Sequence, residues 1–214
     1  MEYNIFLMGI MALNVIISFI AFNDASFFRK YEFHVGSIRA GEQIRMVSSA
    51  FLHADLPHLA FNMFTLYFFA PVVYQTLGNS TFVLIYFGSL LFGSLLTMVF
   101  HKDEYNYRAV GASGAVTGVL YSAILMYPDM TLGIFGIIPM PAYLFGIAYL
   151  LYSIYGMKAK KDNIGHTAHF GGAIGGYAIT LFKYPQLLQE QTFMVVLLAI
   201  PILLLFVLAK LGKL

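Results

Sequence analysis

Uncharged apolar runs, too long to be hidden by a small soluble core, dominate this chain. No Asp, Glu, Lys or Arg occurs from Ile5 to Phe22, from 81 to 100, or from 192 to 209. A bilayer core about 30 Å thick needs about 20 such residues in a helix. Lipid offers backbone N–H and C=O groups no partner, so a spanning segment is a helix or part of a closed barrel. These runs lack period-two alternation, which selects helices. Seven candidates follow: roughly 4–22, 57–76, 81–100, 111–127, 141–157, 166–183 and 192–210. Composition agrees. Only 10% of the 214 residues are charged, against about 25% in soluble domains. The first run follows Met1-Glu2-Tyr3-Asn4, with no Lys or Arg before it, and is long for the core of a signal peptide. It reads as a retained span.

The remaining segments set the organisation. A polar stretch, 23–56, separates the first two runs and is too long for a plain connection, so it carries structure of its own. Residues 128–140, with prolines at 128 and 139 and another at 141, read as a loop; 158–165, "KAKKDNIG", reads as a polar loop. No repeat or low-complexity tract is present. One membrane domain accounts for residues 1–214, with a core of about 1–183 and an added helix at about 192–210. The absence of Cys excludes disulfide and thiolate chemistry. A formal charge of +2 does not suggest nucleic acid as a partner.

Polar side chains inside spans are expensive and mark function by default. His58 and Asn62 in "HLAFN" are four apart, so they share a helix face, and both can donate hydrogen bonds. Read alone, the pair is interhelical glue. Ser113 in "GASG" opens the fourth run, and its N–H falls in a first turn, where backbone donors lack helical partners. Such a turn binds an oxyanion. The plain alternative is a small-residue packing face, Gly114 and Gly118. His169 in "AHFGGAIGG" shares a face with Gly172 and Gly176. If that face packs on Gly114 and Gly118, the imidazole lands beside Ser113 as a base. All three elements fall in first turns of helices that leave the same surface. His53, Asp55, His58, His166 and His169 lack the spacing and carboxylates of a metal set.

The order His-x-x-x-Asn, Gly-x-Ser-Gly, Ala-His-x-x-Gly-x-x-x-Gly resembles the rhomboid intramembrane serine proteases over about residues 40–180. The resemblance implies an all-α membrane protein: a rhomboid-like bundle of six core transmembrane helices, here with a seventh C-terminal helix. It implies Ser113 as nucleophile and His169 as general base, without an acidic third member. It implies His58, Asn62 and the Ser113 N–H as oxyanion donors, and no cofactor. The implied substrates are peptide bonds in or next to transmembrane segments of other proteins, in the lipid bilayer. The long first loop would lie partly in the membrane surface, 158–165 would cap the cavity, and the fifth helix would line the route of entry.

Two departures stand out. The family often has an aromatic residue four after the nucleophile, stacked on the histidine; here the position holds Thr117. The imidazole must then be oriented by a nearby Tyr or by Thr117 itself. The family's Trp-Arg in the first loop is Ile44-Arg45 here.

Orientation is in conflict. On these spans Lys183 is alone on one side, while Arg29, Lys30, Arg39, Arg45, Lys102, Arg108, Lys158, Lys160, Lys161, Lys210 and Lys213 share the other with the three motifs. Taken literally, the positive-inside rule puts the motifs on the cytoplasmic side. The resemblance implies the reverse: an extracytoplasmic cavity in a bacterial cell membrane. A different class of function, a non-proteolytic relative that binds transmembrane helices, usually lacks the serine or the histidine; both are present here. A channel or transporter would call for repeats or paired broken helices. Aspartyl proteolysis would need paired aspartates within the spans, and these are absent.

Overall fold

The computed structural model describes residues 4–134, 138–159 and 164–214. In chain order the helices are α1 (Ile5–Asn23), α2 (Ala25–Tyr31), α3 (Val35–Arg39), α4 (Arg45–Ser48), α5 (Leu56–Leu77), α6 (Asn79–Phe100), α7 (Ser113–Met126), α8 (Ala142–Ala159), α9 (His166–Lys183), α10 (Leu187–Glu190) and α11 (Thr192–Lys210). The short strands are β1 (Phe33–His34), β2 (Arg108–Ala109), β3 (Thr131–Ile134) and β4 (Ile138–Pro141). The seven apolar runs are α1, α5, α6, α7, α8, α9 and α11. Among the described residues α1, α5, α6 and α11 are each long and apolar enough to cross a membrane. The protein is a multi-pass, all-α membrane bundle.

Local chemistry starts the helices where they begin. The Asn4 side chain caps α1 by accepting from the Phe6 and Leu7 N–H groups, and Asp24 caps α2 in the same way. Asp55 accepts the His58 N–H at 2.7 Å and opens α5. Gly78, at φ +83°, ends α5 and leads directly into α6.

Packing centres on α7, where every residue from Gly114 to Met126 is buried. Its 14 residues give a length of about 21 Å at 1.5 Å per residue, shorter than a bilayer core. α9 is wedged between α6 and α7 on two glycine faces. Toward α7, a Cβ on Gly172 would collide with the Gly114 carbonyl, and one on Gly118 would lie 2.8 Å from the Gly172 carbonyl oxygen. Toward α6, a Cβ on Gly171 would lie 2.6 Å from the Phe92 carbonyl oxygen, and one on Gly175 2.9 Å from the Ser89 Cα. The Gly172/Gly176 contact with Gly114/Gly118 is the one the spacing suggests. The second face, on α6, is not apparent from the spacing.

The 23–56 segment is ordered by helices α2 to α4, a 3-10 turn over Ser49–Phe51, and strand β1. β1 pairs antiparallel with β2, Phe33 opposite Ala109 and His34 opposite Arg108. The buried Glu32 carboxylate takes Arg29 and Arg108. Arg45 is buried as well, paired with Glu42 and donating to the Arg29 and Glu32 carbonyl oxygens at 2.8 and 3.1 Å. The segment is thereby fastened to the strand that leads into α7.

The loop expected at 128–140 is instead a hairpin, β3 against β4, with Thr131 opposite Pro141 and Gly133 opposite Pro139. Prolines normally punctuate loops. In a two-stranded sheet each strand has an open edge, where a missing N–H leaves nothing unpaired. The expected loop at 158–165 falls in part on residues 160–163, outside the described residues.

Candidate active site

Ser113 is the first residue of α7, after Ala112. Its hydroxyl lies 2.7 Å from the His169 Nε2. His169 is the fourth residue of α9 and is buried. The glycine contact between α7 and α9 sets this distance, because it brings the two backbones together one turn away. An acceptor at Nε2 faces the serine hydroxyl when the imidazole proton is on Nδ1. That pairing can move the hydroxyl proton to nitrogen. A cavity of about 40 Å³ borders Ser113, with Ser49, Ser94, Thr97 and Gly165 also in its wall. That space is large enough for water.

The chain before Ser113 is held in an uncommon shape. Gly111 has φ +121°, and its N–H donates to the Ser49 carbonyl at 3.0 Å. A Cβ there would lie 2.7 Å from the His58 Cε1 and 2.8 Å from its Nε2. The His58 ring therefore lies against the backbone two residues ahead of the serine. The His58 Nδ1 accepts from the Ala54 N–H at 3.5 Å, which leaves Nε2 as the ring's donor. Asn62 is buried and spends one N–H on the His58 carbonyl at 2.9 Å; its amide has a second. So Ser113 and His169 meet, His58 lies beside the Gly111 turn, and Asn62 sits one helical turn along α5.

His53 is not a ligand-like group at the mouth. It is fully buried and joins a chain of hydrogen bonds. The Ala112 N–H donates to its Nε2 at 3.4 Å. Its Nδ1–H then donates to the Ser18 Oγ at 2.8 Å, and Ser18 donates to the Phe51 carbonyl at 3.0 Å. This polarity is forced, since an amide can only donate. Burial, with a smaller push from His58 and against the opposing pull of Asp55, holds the His53 pKa down at about 3, so the ring stays neutral. Asp55 is occupied as the α5 cap. Among the described residues no three His, Asp or Glu side chains gather as a metal set.

Two residues that the sequence left unassigned complete the site. The Ser18 hydroxyl is one. Tyr149 of α8 is the other: its ring stacks on His169 with centroids 5.8 Å apart and planes 23° from parallel. Its hydroxyl lies 3.3 Å from the Thr117 Oγ1. Thr117 does not reach over the imidazole; it donates back to the Ser113 carbonyl at 2.7 Å. The signal for Tyr149 was faint, as α8 also carries Tyr143, Tyr152 and Tyr155.

Comparison with known proteins gives a consistent likeness. The Rhomboid domain matches residues 40–186. The chain is similar to the RHOMBOID-like protein 12, mitochondrial, of Arabidopsis thaliana: 28% identical over 167 residues, covering 71% of this chain and 50% of that protein. It is similar to the putative rhomboid protease YdcA of Bacillus subtilis: 32% identical over 142 residues, 65% of this chain and 67% of that one. The rhomboid protease GluP of the same bacterium is 31% identical over 143 residues, 65% of this chain but 26% of GluP. The match thus spans half of the Arabidopsis protein and about a quarter of GluP.

Proposed function

This chain belongs to the rhomboid family, and on that premise we propose that it is an intramembrane serine endopeptidase that cuts peptide bonds in or near transmembrane segments of other proteins. The observation that carries the reading is the 2.7 Å approach of the His169 Nε2 to the Ser113 Oγ at the start of a buried helix. Ser113 attacks the scissile carbonyl carbon as His169 takes its proton. The oxyanion receives the Ser113 N–H, the His58 Nε2–H and the second amide N–H of Asn62. The tetrahedral adduct collapses, and His169 returns the proton to the departing amine. Water, deprotonated by the same imidazole, then releases the acyl group from Ser113. The segment cut must be extended at that bond, because a helical carbonyl is already hydrogen-bonded and shielded. Chemistry of this kind needs no cofactor.

The experiment compares cleavage of a reporter transmembrane substrate by wild type and by Ser113→Ala and His169→Ala. Both variants are expected to lose cleavage, and Ser113→Ala to lose labelling by a fluorophosphonate. Asn62→Ala is expected to cost about 2.7–4 kcal/mol in transition-state binding while the protein stays folded. Cleavage by Ser113→Ala at the parent rate overturns the reading.

The cavity opens, on this reading, away from the cytoplasm of a bacterial cell. Named relatives come both from a bacterium and from mitochondria. Arg45 is buried and donates to the Arg29 and Glu32 carbonyl oxygens within the fold, which weakens its vote in a positive-inside count. A reporter active only in the cytoplasm, fused after Leu214, is expected to stay silent; activity there reverses the orientation.

A further inference from the structure

An imidazole that accepts a proton from a hydroxyl needs its ring plane fixed, and the contacts around His169 show what fixes it. Thr117 is on the same helix as Ser113, but its hydroxyl is turned to the Ser113 carbonyl. With its proton used there, the Thr117 Oγ1 accepts from the Tyr149 O–H at 3.3 Å. The result is a relay, Tyr149 O–H to Thr117 Oγ to Ser113 C=O, that ties the tyrosine ring to the backbone of the serine. One face of the tyrosine lies along His169. Phe145, one turn earlier on α8, stacks on Tyr149 with centroids 5.9 Å apart and planes 16° from parallel. The same helix also holds the neighbouring imidazole: Tyr152 meets His166 edge-on at 5.3 Å, and His166 meets His169 at 6.2 Å. A Cβ on Gly156 would collide with the His166 ring.

We propose that Tyr149 is the positioning residue for His169, so that the base is oriented from α8 while the nucleophile is set by α7. The proposal rests on the protease reading and adds to it a residue on a third helix. Two effects follow from the stack. The ring blocks rotation of the imidazole away from Ser113, and its π face stabilises the imidazolium formed when the proton transfers. Thr117 serves as the anchor for the tyrosine.

The test uses the full chain in detergent micelles with the transmembrane reporter, alongside NMR of ring-labelled histidine, the His169 signal being assigned by its loss in His169→Ala. Tyr149→Leu removes ring and hydroxyl. It is expected to lower kcat roughly 10–100-fold, the scale of a small misplacement of a catalytic group, with KM within about twofold. The His169 ring-proton signal should move downfield as the stacked ring is lost. Tyr149→Phe keeps the ring and should restore most of kcat and the wild-type signal. A Tyr149→Leu enzyme with wild-type kcat, or a His169 signal that does not move, overturns the proposal. If wild type neither cleaves nor labels, the protease reading has failed, and the signal shift alone then decides whether Tyr149 positions His169. If Tyr149→Leu does not fold, Tyr149→Met fills the space without an aromatic ring and takes its place. A several-fold loss of kcat with a moved signal supports the proposal, and an unmoved signal overturns it.

Discussion

Gly111 shows how much one residue can carry. Its φ of +121° is a conformation that side-chain-bearing residues rarely adopt, and the His58 ring fills the space where a Cβ would sit. Gly111→Ala is therefore expected to destabilise the protein by about 1–3 kcal/mol. The measurement is thermal unfolding in detergent together with reporter cleavage, and both should fall. If unfolding is unchanged and cleavage intact, the turn does not hold the site. At this scale the sequence was informative where chemistry is rare: a serine between glycines and a histidine in an apolar run are conspicuous. Tyr149 was not, because tyrosine is common on α8 and its partner lies 20 positions away on another helix. Ser18 was less visible still; a hydroxyl within an apolar run carries no mark of a partner 35 residues on.

Among the elements, α9 is the most constrained. Its glycines meet backbone on α6 and on α7, so an added methyl has no flexible side chain to push aside. Gly172→Val is expected to cost at least about 1–3 kcal/mol by overpacking, and to lower cleavage further by pushing His169 from Ser113. A methyl added at Gly9 on α1 would meet nothing within 4 Å. Gly9→Ala should leave cleavage alone and hold or slightly raise stability, since alanine favours a helix by about 1 kcal/mol. Unfolding curves of the two variants make the comparison, and equal loss in both would refute it. Helix positions were legible because length and apolarity dictate them in lipid. The β3–β4 hairpin was not, because its prolines argue for a loop until the open edge of a two-stranded sheet is seen.

Across the whole molecule, the site is assembled from α1, α5, α7, α8, α9 and the fastened 23–56 segment. Acid should loosen it through His53. The folded pKa is about 3 against an ordinary 6.5, so the unfolded chain binds more protons between those values. This contribution is fully present above pH 6.5 and is lost progressively as pH falls toward 3. A plot of melting temperature against pH is expected to drop over that window, and less steeply in a variant such as His53→Gln that cannot titrate there. A parallel drop in both would assign the acid sensitivity elsewhere.

The His53 chain also bears on portability. The Rhomboid domain matches 40–186, yet the hydroxyl that accepts the His53 hydrogen bond belongs to Ser18, on a helix outside it. Likeness of sequence and mechanical completeness therefore have different borders. A graft of residues 40–186 behind a foreign first helix would inherit the serine and the histidine, but the Ala112 amide would hang from an imidazole with no anchor. To transplant this site intact, the foreign first helix must bring a hydroxyl where Ser18 stands.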